Sequence, residues 1–397
     1  MRAAVLVLNA GSSSLKFSLY AAAPELLLCR GQIASMAGAV TMHASDAASI
    51  VMVDDTLDAG LSPTGWPAIL LGWIDAAYPG ITLAAAAHRV VHGGPRYHAP
   101  VLIDAAVLRE LHRLTPLAPL HQPHALAAIA TLRQSHPDLN QIACFDTAFH
   151  HTVPLVESSF ALPRALYDEG LRRYGFHGLS YEYIAGRLPS LLGAGPAAGR
   201  IVVAHLGAGA SMCALLNGRS IATTMSLTPL DGLPMATRCG AIDPGAVLYL
   251  LQEKGLSADR VANLLYHDSG MLGVSGISGD MQTLLASDSA AAAQAIDLFV
   301  YRIGRELGSL AAALGGIDAL VFTGGIGEHA AQIRHRVCEG AAWLGIDVDR
   351  AANAAHGPCL TRLDSAVSAW AIPTDEDDII MRHSRTLLQL HQPRKTS

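Results

Sequence analysis

Charge is what this chain has least of. Only 15% of its 397 residues are Asp, Glu, Lys or Arg, against roughly 25% in an ordinary globular protein. A basic excess is missing too. The 27 Lys and Arg against 33 Asp and Glu leave a net charge of −6, which argues against nucleic acid as the main partner. Disorder is disfavoured because 51% of the residues are apolar. An apolar, charge-poor chain raises the question of a membrane, yet its uncharged runs are punctuated. The run Ile201–Gly218 contains His205, Gly207, Gly209, Ser211 and Asn217 and reads as strand, turn and strand. The opening MRAAVLVLNAGSSS has one basic residue, and Asn9 and Gly11 end a very short apolar run; a secretory signal needs a longer one. Cys29, Cys144, Cys213, Cys239, Cys338 and Cys359 form no CxxC pair and no regular spacing, the pattern of free thiols in a reducing cytoplasm. The expectation is a cytoplasmic protein without a membrane or nucleic-acid partner, long enough for two or three domains of about 150 residues.

What is present is a recurrence of short β-type runs, each followed by a glycine turn or a helical pattern. Ala3–Leu8, Gln141–Phe145, Ile201–Leu206, Ala319–Thr323 and Ala366–Ile372 are the clearest. A helical stretch spans Ala290–Leu314 and stops at Gly315-Gly316. Alternating strands and helices indicate an α/β architecture, with Leu191–Arg200 (LLGAGPAAGR) as a flexible loop. A faint repeat adds to this. Ala4–Ser14 (AVLVLNAGSSS) and Ile201–Ser211 (IVVAHLGAGAS) both read as buried strand, polar residue, small-residue turn and serine. Two such copies imply a duplicated domain with a cleft between the halves.

Several segments can carry chemistry. In Asn9–Lys16 (NAGSSSLK) small residues let backbone N–H groups approach a phosphate, with Ser12 and its neighbours and Lys16 adding donors. The same segment can be an ordinary hairpin turn. Arg89 lies in an apolar run, so it is either paired structurally or holds an anion in a cleft. Arg238 sits in a loop marked by glycine and proline, where site residues concentrate; two arginines on one phosphoryl group would stabilise a charged transition state. Asp146 and Glu376 stand at the carboxyl ends of strands, where hard oxygen ligands suit Mg²⁺. Thr374-Asp375-Glu376-Asp377 can equally be a helix start with a capping threonine. His121-x-x-His124 and His150-His151 lack the further ligands of a closed zinc site. His177 and His205 are candidates for phosphate contacts, or core histidines satisfied by hydrogen bonds. Phe322–Glu328 (FTGGIGE) is a strand, glycines and a helix start that bring backbone close to a ligand.

Taken in order, VLNAGSSSLKFSLY, AHRVVHGGP, LAPLHQPH, CFDTAFH, YGFHGLSYEY, VVAHLGAGASMCAL, SLTPLDGLPMATRCGAIDP, SGISGDMQTL, FTGGIGEH and AIPTDED resemble the acetate kinase family of the acetate and sugar kinase/actin-like superfamily, over nearly the whole chain. The resemblance implies two duplicated ribonuclease-H-like, actin-like ATPase domains with a nucleotide in the interdomain cleft. Residues 1–148 with 378–397 would form the first domain and 149–377 the second. It implies a homodimer and transfer of the γ-phosphoryl group of ATP to acetate, with Mg²⁺ or Mn²⁺. Carried over residue by residue, Arg89 and Arg238 would hold the carboxylate and the phosphoryl group, and His177 the oxygens in flight. Asp146 and Glu376 would organise the metal and the in-line geometry; Asn9, a further metal contact, Lys16 and Ser12 would support the phosphates. His205, Leu206, Gly207, Ala208, Gly209, Asp280, Met281, Gln282, Gly325, Ile326, Gly327, Glu328 and His329 would contact the nucleotide. Val91, Leu120, Phe176 and Pro229 would line the acyl pocket. The family usually has HLGNG, DMR and GIGEN where this chain has Ala208, Gln282 and His329. Two smaller departures are Ala241 and Asp377. A pyrophosphate-using or relaxed-nucleotide acyl kinase, including a propionate kinase, is therefore the alternative. A non-catalytic nucleotide-binding actin-like protein is the remoter one.

Overall fold

Apolar runs too uniform for a one-sided sheet become central strands. Ala4 to Leu8 are all buried, so the strand that carries them is covered on both faces. The computed structural model describes residues 2–36, 38–58 and 60–389. The chain divides into two compact units, 1–148 with 375–397 and 149–374.

The first unit is built on eight strands: β1 (Arg2–Ala10), β2 (Ser14–Ala22), β3 (Glu25–Met36), β4 (Ala39–Asp46), β5 (Val51–Leu57), β6 (Ile81–Val90), β7 (Val101–Leu102) and β8 (Asn140–Phe145). Their order is β5-β4-β3-β2-β1-β6-β8-β7. β1 to β3 pair antiparallel, and β6 and β8 then run parallel to β1. Trp66, Leu70, Leu71 and Ile74 of the helix Trp66–Ala77 pack with Leu6, Leu8, Phe17 and Leu19 into one core cluster. Leu126 and Ile129 of the helix Gln122–Ser135 join Val90, Ala143 and Phe145 in another. The helix Glu376–Leu387 packs on β1, β2, β6 and β8 through Ile379, Ile380 and Met381.

The second unit repeats that plan with β9 (Arg200–Leu206), β10 (Ala210–Leu216), β11 (Arg219–Thr223), β12 (Ala319–Thr323) and β13 (Ser368–Ala371). The order is β11-β10-β9-β12-β13. β9 to β11 pair antiparallel, and β12 and β13 run parallel to β9. Three antiparallel strands followed by two parallel ones therefore occur twice, as the ribonuclease-H-like, actin-like fold requires. The two halves of the faint repeat are the equivalent hairpins β1–β2 and β9–β10. Tyr181, Ile184 and Leu188 of the helix Gly178–Leu192 pack on Ile201, Val203, Cys213 and Leu215. The long helix Ala290–Leu314 has the expected bounds. Ser289 caps its start and Gly315, with φ 69°, ends it.

Three sequence expectations need correction. Leu191–Arg200 is not a flexible loop: it holds the short helix Ala194–Ala197 and a buried Ala197, and Ala198 O accepts the Asn217 N–H. The cap of the last helix is Asp375, whose carboxylate accepts the Asp378 N–H, rather than Thr374. The second boundary falls before Asp375 instead of before Asp378, because Asp375 to Asp377 already cap and begin the helix that packs on the first sheet.

Candidate active site

In the first unit the sheet register assembles a charged cluster. β6 and β8 place Arg89 opposite Cys144 and Val90 opposite Phe145, and Asp146 follows β8 directly. Arg89 donates from Nε and Nη2 to the two Asp146 oxygens at 3.0 and 2.6 Å, a fork-to-fork pair. Glu376 Oε2 lies 3.3 Å from Arg89 Nε, and Asn9 Oδ1 3.5 Å from Nη1. The guanidinium is thus structurally paired within the oxygen cluster expected to hold the metal and the carboxylate. Burial pushes the Asp146 carboxyl up to about 6; Arg89 opposes that rise and Glu376 adds to it. Although burial opposes it, the charge of Asp146 and Glu376 holds Arg89 firmly protonated.

Asn9, Asp146 and Glu376 offer two carboxylates and an amide oxygen. That donor set fits Mg²⁺, which binds through one or two carboxylates and keeps waters and substrate phosphates as its other ligands. Lys16 is exposed and directly across the hairpin from Asn9. Ser12 is exposed in the turn between them, closed by the Gly11 N–H on Ser14 O at 2.8 Å. The hairpin-turn reading of NAGSSSLK is what the structure shows, with Ser12 and Lys16 exposed on it. Val91, just after β6, is buried, and Leu120, before the helix Gln122–Ser135, is half-buried.

The second unit gathers its residues around the β9–β10 turn. His205 and Leu206 end β9, Gly207, Ala208 and Gly209 form the turn, and of these five Ala208 alone is exposed. Gly207 N–H donates to Gly209 O, and Ala208 O accepts the Ala236 N–H at 3.1 Å, which ties the turn to the loop of Arg238. A Cβ on Gly209 would stand 3.0 Å from Arg238 Nη2 and 3.4 Å from His177 Nε2. The guanidinium and the imidazole thus converge on one backbone position that only glycine leaves open. Arg238 Nη1 donates to Pro229 O at 2.7 Å. His177, at φ 57°, precedes the helix Gly178–Leu192. Phe176 beside it is buried, and its carbonyl accepts His150 Nε2.

The glycine segment lies next to the same turn. Gly324, at φ 76°, has room for no Cβ, which would stand 2.7 Å from Leu206 O. Gly325 is exposed, Ile326 half-buried and Gly327 buried in the helix Gly324–His329. Glu328 turns inward, accepting from Gly324 N at 3.0 Å and Thr374 N at 3.3 Å, while His329 is exposed. Asp280 caps the helix Met281–Leu285 by accepting from Thr283 N–H and O–H, which holds its carboxyl below the usual range. Met281 is core and Gln282 exposed. His150 is spent on Ser220 and Phe176, and the described residues hold no group of three or more His, Cys, Asp or Glu side chains placed to bind a metal such as zinc.

The chain matches the acetokinase family model over residues 4–382. It belongs to the acetokinase family. Acetate kinase of Rhodopseudomonas palustris (strain TIE-1) is 58% identical over 385 residues, covering 96% of this chain and 97% of that protein. Acetate kinase of Methylocella silvestris is 51% identical, covering 98% of each. Among solved acetokinase-like structures, Porphyromonas gingivalis acetate kinase superposes with a TM-score of 0.85 at 34% identity, covering 97% of this chain and all of that one. A propionate kinase from Francisella tularensis gives 0.88 at 34% identity, covering 96% and 98%.

The structure adds hydroxyls to the site whose roles the sequence did not show. Ser180, Tyr181 and Ser211 were inside the matched segments, but their spacing carries no signal. They meet only because a helix packs across β9 and β10.

Proposed function

We propose that this chain transfers the γ-phosphoryl group of ATP to the carboxylate of acetate, reversibly, giving acetyl phosphate and ADP. The observation that carries the reading is the convergence of Arg238 and His177 on Gly209, in a chain of the acetokinase family. Phosphoryl transfer asks little covalent help of a protein and much placement of charge around the equatorial oxygens. Arg238 supplies a full positive charge and His177 a hydrogen bond to those oxygens. The β9–β10 turn, with Leu206 to Gly209, Gly325 to Gly327 and Asp280 to Gln282, borders the nucleotide and His205 contacts its phosphates; Lys16 and Ser12 are the phosphate donors that the first unit offers.

Arg89 orients the acetate carboxylate, and Asp146 fixes the guanidinium in the plane that makes this possible. Val91 and Leu120 of the first unit, and Phe176 and Pro229 of the second, are the apolar residues that the family resemblance assigns to the methyl group. One guanidinium against two carboxylates leaves the first cluster net negative, so holding the acetate carboxylate there calls for a further cation. Asn9 and Glu376 would hold Mg²⁺ there, or Mn²⁺, and the ion would offset charge on the transferring phosphoryl group. A homodimer and a cytoplasmic location, which the family resemblance implies, complete the proposal.

A second reading concerns the donor. Ala208, Gln282 and His329, where the family usually has Asn, Arg and Asn, are all exposed, so they alter ligand contacts rather than packing. Acetyl phosphate consumption with ADP, GDP and orthophosphate as alternative acceptors separates the readings. Consumption with ADP supports the ATP assignment, and consumption with orthophosphate alone replaces it by a pyrophosphate-linked reaction.

A further inference from the structure

Two histidines in the second unit share one arrangement. His177 Nδ1 lies 2.8 Å from Ser211 Oγ, and His205 Nδ1 lies 2.8 Å from Ser180 Oγ. The two rings stack with centroids 4.3 Å apart and planes 22° from parallel. Ser211 Oγ is also 2.5 Å from the Tyr181 hydroxyl. Ser180, Tyr181 and Ser211 are each 0% exposed, so their hydroxyl protons must find acceptors within the protein.

Counting protons decides the directions. Ser211 has one proton to give and two neighbours. If His177 carried its proton on Nδ1 and donated to Ser211, Ser211 would donate to Tyr181. The Tyr181 proton, with Ser211 as its hydrogen-bond partner, would then be left buried without an acceptor, a costly orphan. The reverse chain satisfies every group: Tyr181 donates to Ser211, and Ser211 donates to His177 Nδ1. The same count for Ser180 makes it the donor to His205 Nδ1. We infer that Tyr181 and Ser211, with Ser180 beside them, are positioning residues that hold His177 and His205 as neutral imidazoles protonated on Nε2.

Two further features agree. Burial raises the Tyr181 hydroxyl well above its ordinary range, so it stays a donor. Two stacked imidazolium rings would also repel, which favours the uncharged form of the pair. The consequence for the proposed reaction, on which this part rests, is directional. His177 Nε2, on the side of Gly209 and Arg238, presents an N–H to phosphoryl oxygens. In the other tautomer the same atom would present a lone pair and repel them. A histidine's outer nitrogen is set by the bond its inner nitrogen makes.

The test is a long-range ¹H–¹⁵N correlation spectrum of the ¹⁵N-histidine-labelled, full-length protein at about pH 7.5, with His177→Gln and His205→Gln used only to assign signals. Both histidines should show a bare Nδ1 and a protonated Nε2. The opposite pattern, or averaging between tautomers, overturns the inference without any variant having to fold. Tyr181→Phe should mix the His177 tautomers and lower kcat about 3- to 10-fold, a fraction of the roughly 10²–10³-fold that loss of a whole donor costs. KM for acetate should not move. A Tyr181→Phe protein with the wild-type spectrum and kcat also overturns it. Failure of the functional reading looks different: no acetyl phosphate from the wild type, with the tautomers unchanged.

Discussion

Replacing Arg89 by Met keeps the aliphatic stem and removes the guanidinium that sits between Asp146 and Glu376. Asp146 is 1% exposed, and both its oxygens are bonded to Arg89. The variant therefore leaves a buried carboxylate without a partner, at about 3–5 kcal/mol. That is a large share of the roughly 5–15 kcal/mol that holds a domain folded. Protonation offers an escape whose sign can be worked out. Arg89 opposes the rise of the Asp146 carboxyl, so its loss lifts that carboxyl further above its unfolded value. A group raised in this way stabilises the fold at low pH and loses that contribution as pH rises. The stability deficit of Arg89→Met should thus be small near pH 5 and grow toward pH 8. Adding Asp146→Asn should recover most of it at pH 8, because the double variant buries no charge. The assay is urea unfolding without Mg²⁺, followed by fluorescence of Trp66 and Trp73 in the first unit, with Trp343 and Trp370 of the second replaced by Phe. A deficit below about 1 kcal/mol at pH 8, or no recovery in the double variant, would refute the reasoning.

Other expectations follow from the same geometry. Arg238→Ala should cut kcat by about 10³–10⁵-fold, as loss of an arginine on a phosphoryl group does; a folded variant within threefold of wild type contradicts its role. Gly209→Ala should lower kcat about 10-fold or more, because the new methyl would stand 3.0 Å from Arg238 Nη2 and shift that guanidinium, while the urea midpoint barely moves; equal kcat in steady-state assays would contradict the placement of Arg238 at this turn. Burial pushes His88 and His150 down from 6.5 to about 4. Each then contributes stability above pH 6.5 that is lost as pH falls toward 4, about 3 kcal/mol apiece; urea midpoints measured from pH 7.5 to 4.5 should show it, and His88→Gln should flatten part of that slope.

How much of this could be read beforehand depended on the range of the interaction. Buried runs such as Val5–Leu8 and Ile201–Leu206 declare strands because their burial is local and continuous. Ala290–Leu314 declares its own ends through Ser289 and Gly315. The repeated turn pointed to the duplicated topology, which both sheets display. Local sequence was a poorer guide wherever a distant partner decided the outcome. Thr374 looked like the cap of the last helix, but its N–H is taken by Glu328, and Asp375 caps instead. Leu191–Arg200 has a loop's composition, yet Asn217 and the packing of Ala197 order it. Arg89 and Asp146 were both marked as site residues. That they form one fork was not readable, because a parallel register between β6 and β8 creates it. The Tyr181–Ser211–His177 chain was invisible for the same reason.

The central claim is tested most directly by incubating the purified chain with acetate, ATP and Mg²⁺ and trapping acetyl phosphate as its hydroxamate, then running the reverse reaction with ADP. The account predicts acetyl phosphate formed in step with ADP, and ATP regenerated from acetyl phosphate and ADP. No hydroxamate from a folded protein that still binds ATP would contradict it.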